Sequence, residues 1–271
     1  MQNFKVNLDK EIINSAFFPS ENPQYTLILV HGMGEHFMRY ANYVIPRLNK
    51  AGCNVYAYDH VGHGESSGKR GHTPSYEFEM KCISHFVELA KETNKEVLLY
   101  GHSMGGNCVV NYALKQDPRV SRYIVSSPML DLAFEPPRWK TLLGNIALSL
   151  APRVTLNNGL DATKISNDPD QVKKYIEDPL NHDLVSPNFS MLFLKKGKYA
   201  LKHKNLLNHP MLLLHGDADQ ITSFKASQNF ALENKEVTFV PIKGGYHELH
   251  NDLEKKEFMN IIIKWIHGST I

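Results

Sequence analysis

Residues 97–106 read "VLLYGHSMGG". An apolar run ends, and a serine stands among three glycines. Serine is a weak nucleophile in water, and glycine weakens regular structure. Together, at the end of a strand, they have one physical use. Gly101-His102-Ser103-Met104-Gly105 is a G-x-S-x-G pattern between an expected strand and an expected helix, the context of a nucleophile elbow. The sharp turn strains the serine backbone and lifts its hydroxyl above the sheet edge. Small residues two before and two after the serine avoid clashes. The free N–H groups of the following helix point at the same place.

The rest of the chain supplies a matching frame. Short apolar runs recur at 27–30 ("LILV"), 55–58 ("VYAY"), 123–126 ("YIVS"), 211–214 ("MLLL") and 237–240 ("VTFV"). None alternates with polar residues, as expected of strands buried on both faces. Between them, 75–92 places Phe78, Cys82, Phe86 and Leu89 at helical spacing, and 104–116 and 254–267 behave alike. Such strand–helix alternation predicts an α/β fold with a mostly parallel, helix-covered sheet. The opening "KVNLDKEIINSAFF" (5–18) alternates better and predicts an antiparallel edge hairpin. The rhythm stops over 128–205, a proline-punctuated, helix-like stretch. It reads as a cap inserted between a first core part, 1–127, and a second, 206–271. Within it Trp139, Leu142, Leu143, Ile146 and Leu150 share one helical face. That face either packs on the core, or lines an apolar pocket or touches a membrane surface.

Composition narrows the class. The chain has 271 residues, 42% hydrophobic and 21% charged, with a net charge of +2. This is ordinary globular composition, without the basic stripe that nucleic acid requires. Cys53, Cys82 and Cys108 form no CxxC pair and read as buried small hydrophobes in a reducing compartment. No apolar run is long enough to span a bilayer, and the first ten residues lack a secretory h-region. The expected location is cytoplasmic, with peripheral membrane contact through the cap. Nothing in the sequence indicates oligomeric state.

A nucleophilic serine needs a base, an acid to orient it, and donors for an oxyanion. In an elbow fold the acid and the base follow the serine in chain order, each after a late strand. "HGDADQIT" (215–222) offers Asp217 and Asp219; "GGYHELHND" (244–252) offers His247 and His250. The oxyanion donors are expected at the Met104 N–H and, from "LVHGMGEHF" (29–37), at the Met33 N–H. Other motifs fail. "HELHN" (247–251) lacks the second zinc histidine, "GHGESSGKR" (62–70) has the wrong spacing for a P-loop, and "GMGEHF" (32–37) lacks a third dinucleotide glycine. Neither a cofactor nor a metal is expected. Asp59 is expected to hold the glycine-rich loop after it. His31, His60, His63, His72 and His102 are expected to support loops by hydrogen bonding.

Along nearly its whole length the chain resembles the monoacylglycerol lipases and lysophospholipases of the α/β-hydrolase superfamily. The resemblance rests on "HGMGEHFMRY" (31–40), "YDHVGHGESSGKR" (58–70), "GHSMGG" (101–106), "HGDADQI" (215–221) and "GGYHELHND". It implies an α/β-hydrolase fold, a Ser103–Asp219–His247 triad, oxyanion donors at Met33 and Met104, and a cap enclosing an acyl tunnel. The implied substrate is a lipid ester with one acyl chain, chiefly a monoacylglycerol. Lysophospholipase, general carboxylesterase, acyltransferase and small-molecule receptor are the alternatives. Glu35 and Arg39 then either contact a polar head group or form an ion pair that supports the loop. Trp139, Leu142, Leu143 and Ile146 are expected along the acyl chain.

Overall fold

The computed structural model describes residues 1–135, 151 and 153–270. The apolar face expected at Trp139, Leu142, Leu143, Ile146 and Leu150 lies outside the described residues. The strands are β1 (Gln2–Leu8), β2 (Glu11–Phe18), β3 (Tyr25–Val30), β4 (Cys53–Tyr58), β5 (Glu96–His102), β6 (Arg122–Ser126), β7 (Leu156–Asn157), β8 (Leu184–Val185), β9 (Met211–Gly216) and β10 (Val237–Ile242). Eight of them form one sheet ordered β1-β2-β4-β3-β5-β6-β9-β10. β1 and β2 are the antiparallel hairpin at one edge, and β2 joins β4 antiparallel. All other pairings in this sheet are parallel. This is the α/β-hydrolase arrangement expected from the sequence.

The uninterrupted apolar runs follow from the two covered faces. Along β3, Ile28 and Val30 enter one core with helices Tyr76–Lys91 and Ser103–Ala113. Leu27 and Leu29 enter the other, with helices Val44–Lys50 and Lys255–Ile266. Each side chain so buried contributes roughly 1.5–3 kcal/mol. Ser75 starts the first of these helices by accepting the Phe78 N–H through its side chain, the usual work of an N-cap.

The described residues of 128–205 do two jobs. The helix Pro187–Lys202 buries Phe189 and Phe193 in the sheet core, and Asn107 of the neighbouring helix donates its amide to the Phe193 and Met129 carbonyls. It is therefore the crossover helix from β6 to β9. Before it, β7 and β8 pair as a separate two-stranded ribbon, and the helix Pro169–Glu177 has no buried residue. Among the described residues no helix is long and apolar enough to cross a membrane.

Parallel register brings the functional loops to one edge. Val30 pairs with Gly101, His102 with Ser126, Ser126 with Leu214, and Gly216 with Ile242. The chain leaves the sheet at the carboxyl end of each of these strands, so their loops converge. The helix Ser103–Ala113 reaches that edge by pressing on β3. A Cβ on Gly105 would lie 2.1 Å from the Val30 carbonyl oxygen. Gly105→Ala is therefore expected to lower stability by about 1–3 kcal/mol, the usual effect of overpacking. Thermal unfolding would show it as a lower Tm.

Candidate active site

Ser103 sits at φ +52°, in the left-handed region that costs a side-chain-bearing residue energy. Its neighbours hold it there. The Ser103 carbonyl accepts the Met129 N–H at 2.9 Å, and Gly101 lies too close to the Gly105 carbonyl for any side chain. The hydroxyl thus points out of the sheet edge, on a residue only 7% exposed.

Ser103 Oγ lies 2.9 Å from His247 Nε2, and His247 Nδ1 lies 2.8 Å from Asp219 Oδ2. The three groups form a continuous hydrogen-bonded chain from three different loops. Asp219 Oδ1 accepts the Ile221 and Thr222 N–H groups at 2.7 and 3.1 Å. Its Oδ2 also faces His215 Nε2 at 3.1 Å and the Thr222 hydroxyl at 2.9 Å. His215 is in turn fixed by Ser227 at 2.7 Å. Burial alone would raise the Asp219 pKa, but His247 and the His215 hydrogen bond hold it far below the carboxylate range. Burial would lower His247, but the Asp219 charge outweighs it and raises its pKa above 6.5.

The alternatives for acid and base sit elsewhere. Asp217 is exposed and accepts the Gly244 N–H at 2.7 Å, so it braces the loop leading to His247. His250 is fully buried, stacked on Tyr40 at 4.4 Å, with neither ring nitrogen hydrogen-bonded. Burial, against the pull of Glu248, pushes it down to about 3.

The loop after β3 abuts the serine: a Cβ on Gly32 would lie 3.3 Å from Ser103 Cβ. Glu35 Oε1 accepts the Gly32 N–H at 2.6 Å and the Tyr40 hydroxyl at 2.8 Å, which fixes the turn. Among the described residues no acceptor takes the Met33 or the Met104 N–H. Asp59 holds the next loop from beneath, accepting the Phe37 and Glu65 N–H groups at 3.1 and 2.9 Å. The histidines brace this region: His31 Nε2 accepts the His60 N–H, His60 bonds Glu79 at 2.6 Å, and His102 bonds Ser126 at 3.1 Å.

Glu35 and Arg39 form an ion pair at 2.9 Å that includes a third member. Arg39 makes a two-pronged bond to Glu248 at 2.6 and 2.7 Å, a geometry that suits guanidinium and carboxylate. Arg39 bridges both carboxylates and lies against the Tyr175 ring at 4.8 Å. Burial, opposed by Arg39 and reinforced by Glu248, raises Glu35; burial is outweighed by Arg39 at Glu248, which falls to about 2.

A pocket opens directly onto Ser103. Met129, Leu132, Phe134, Leu160, Ile165, Val185, Leu194 and Ile221 give it apolar walls, and Glu35, Glu248, Tyr175 and His247 also line it. Four of these apolar residues come from 156–194, so the expected cap segment contributes to the wall. Within it, Asp178–Ser186 is fastened to the core loops. The His182 N–H bonds the Gly34 carbonyl at 2.9 Å, the Ser186 N–H bonds the Gly71 carbonyl at 2.8 Å, and His36 bonds Asp178 at 2.9 Å. Sequence reasoning missed His215, Thr222, Tyr175 and Glu248. His215 and Glu248 stand inside quoted motifs, yet their roles depend on contacts 4 to 209 positions away.

The model of the serine aminopeptidase S33 family matches residues 21–254. An abhydrolase domain-containing protein of Dictyostelium discoideum is 36% identical over 95% of this chain, which spans 28% of that protein's length. The monoacylglycerol lipase of Mycolicibacterium smegmatis is 29% identical, over 94% of this chain and 92% of that one. The crystal structure of Paleococcus ferrophilus monoacylglycerol lipase superimposes with a TM-score of 0.87 at 38% identity, covering 95% of this chain and 99% of that one.

Two outcomes are expected from the site's geometry. Asp219→Asn removes the charge facing His247 and should lower kcat by roughly 10³–10⁴, whereas Asp217→Asn should cost far less. Stopped-time ester assays on both variants would rank them. The second concerns pH. A base must be unprotonated to accept the serine proton, and folded His247 binds its proton more tightly than free imidazole. The kcat/KM profile should therefore fall on the acid side, with a midpoint above 6.5.

Proposed function

Because the chain belongs to the serine aminopeptidase S33 family of α/β-hydrolases, we propose that it is a serine ester hydrolase of single-chain lipids, chiefly monoacylglycerols. The observation that carries this reading is the pocket, apolar along its walls and polar beside His247, with Ser103 at the junction. An acyl chain suits the former and a small alcohol the latter. The lipase similarities in Paleococcus and Mycolicibacterium support the same substrate class. The family's peptidase description fits less well. A peptide's free amine would sit on the acyl side, where the walls are apolar, and not at the His247 end that Glu35 and Glu248 border.

In this reading Ser103 Oγ attacks the ester carbonyl while His247 Nε2 takes its proton. Asp219 stabilises the imidazolium, and the Met33 and Met104 N–H groups bond the oxyanion. The intermediate collapses, the C–O bond to the alcohol breaks, and the alcohol leaves with the proton from His247. Water then attacks the acyl-enzyme with His247 as base, releasing the fatty acid and restoring the serine. We read the residues between β6 and Pro187 as the cap. Phe134 and Leu160 line the pocket and are 49% and 40% exposed, and Leu156 is 61% exposed. These apolar groups around the opening are suited to transient contact with a lipid surface.

A fluorophosphonate probe should label Ser103, and Ser103→Ala should lose both label and activity. On a panel of monoacylglycerols, kcat/KM should climb with chain length until the pocket is full, each buried methylene being worth about 0.8 kcal/mol. Equal kcat/KM for acetyl and long-chain esters would instead identify a general carboxylesterase. Faster turnover of lysophosphatidylcholine would identify a lysophospholipase, and a single slow turnover with retained product a receptor.

A further inference from the structure

Two carboxylates of the pocket lining, Glu35 and Glu248, share one guanidinium, Arg39. With both carboxylates ionised the trio carries one uncompensated negative charge, although its side chains are only 2%, 4% and 8% exposed. Its other partners are neutral donors: the Gly32 N–H and the Tyr40 hydroxyl at Glu35, and the Asn251 amide at Glu248. Each of these contacts donates to a carboxylate oxygen, which favours the ionised forms against the burial and mutual repulsion that raise Glu35. His250 beside them is neutral at ordinary pH, burial having pushed it down to about 3.

Glu248 directly follows His247, and both line the pocket. On the reading given above, His247 hands its proton to the departing alcohol. The alcohol must then lie against the imidazole, at the end of the pocket that Glu248 and Glu35 border. A buried charge there is screened far less than one in water.

We propose that Glu248, together with Glu35, sets the charge selectivity of the leaving-group end, admitting neutral and cationic alcohols and rejecting anionic ones such as glycerol phosphate. The inference rests on the ester-hydrolase reading and sharpens it. Both carboxylates are held by Arg39, so they act through their field, as specificity residues, without needing a hydrogen bond to the substrate. The same field favours the imidazolium that forms on His247. The groups facing that ring are Asp219, Ser103 and the Thr222 hydroxyl in direct contact, His102 with its centroid at 4.9 Å, and Glu248, Glu35, Arg39 and His250 around them. Of these, Glu248→Gln removes one negative charge and keeps the side-chain shape.

The test uses three soluble esters with one acyl group, so that the acyl contribution cancels: monobutyrin, butyrylcholine and butyryl glycerol phosphate. In the unaltered protein, kcat/KM for the neutral and the cationic ester should each exceed that for the anionic ester by about tenfold or more, equivalent to about 1.4 kcal/mol. In Glu248→Gln the neutral-to-anionic ratio should shrink by about tenfold, and the acid limb of monobutyrin hydrolysis should move to lower pH. A merely structural role would lower all three rates together and leave the ratio alone. An unchanged ratio in a variant that still labels at Ser103 overturns the proposal. So does an unaltered protein that hydrolyses the anionic ester within about twofold of the neutral one. That second comparison decides the matter even where Glu248→Gln fails to fold. Labelling at Ser103 without butyrate release from any of the three esters overturns the ester-hydrolase reading itself, and the proposal with it.

Discussion

A single residue held in the wrong half of conformational space organises this molecule. Ser103 adopts φ +52° between the last residue of β5 and the first turn of the following helix. The surroundings must over-determine that geometry, since isolated strain of this kind costs on the order of 1–3 kcal/mol. Two glycines allow it, Gly101 toward the helix and Gly105 toward β3, where any side chain would meet backbone. The helix is therefore pinned at its amino end to the centre of the sheet. Everything else at the carboxyl edge is arranged around the hydroxyl that this pinning exposes.

Charge is handled by the opposite device, saturation. Asp219 is buried and receives two backbone N–H groups, with two imidazoles against its second oxygen. Glu248 and Glu35 are buried and receive donors from Arg39 and from neutral groups. An unpaired ion in such a place would cost several kcal/mol. Pairing removes most of that penalty while fixing loops far apart in sequence. The histidine loop, the loop after β3 and the cap segment meet through Arg39, Glu248 and the Glu248 N–H bond to the Ile165 carbonyl.

The order of strands and helices was legible in the sequence because each apolar run is long enough to be buried on both faces. The edge hairpin was legible because its residues alternate. The elbow was legible because glycine at two fixed offsets has few other uses beside a serine. His247 and Asp219 could be narrowed to two candidates each, by chain order alone. What separates Asp219 from Asp217 is burial: one turns inward toward His215, the other outward toward the Gly244 N–H. No local pattern records that difference. Arg39 and Glu248 lie 209 positions apart, so their pairing is a property of sheet order. The crossover helix Pro187–Lys202 looked like part of an insertion because prolines surround it. Its buried Phe189 and Phe193 place it in the core.

The fastening of Asp178–Ser186 has a mechanical consequence. His182 is tied by its backbone to Gly34, the residue after Met33, and no side chain fits between them because a Cβ on Gly34 would lie 2.4 Å from the His182 carbonyl. The segment that brings Val185 to the pocket wall and the turn carrying the Met33 N–H are thus joined by a close backbone contact. On the proposed mechanism, a guest that displaced this segment would shift that turn relative to Ser103. On that mechanism misfit would register as lost turnover and not only as weaker binding. Such a joint lets the enclosure judge its contents at the moment of reaction.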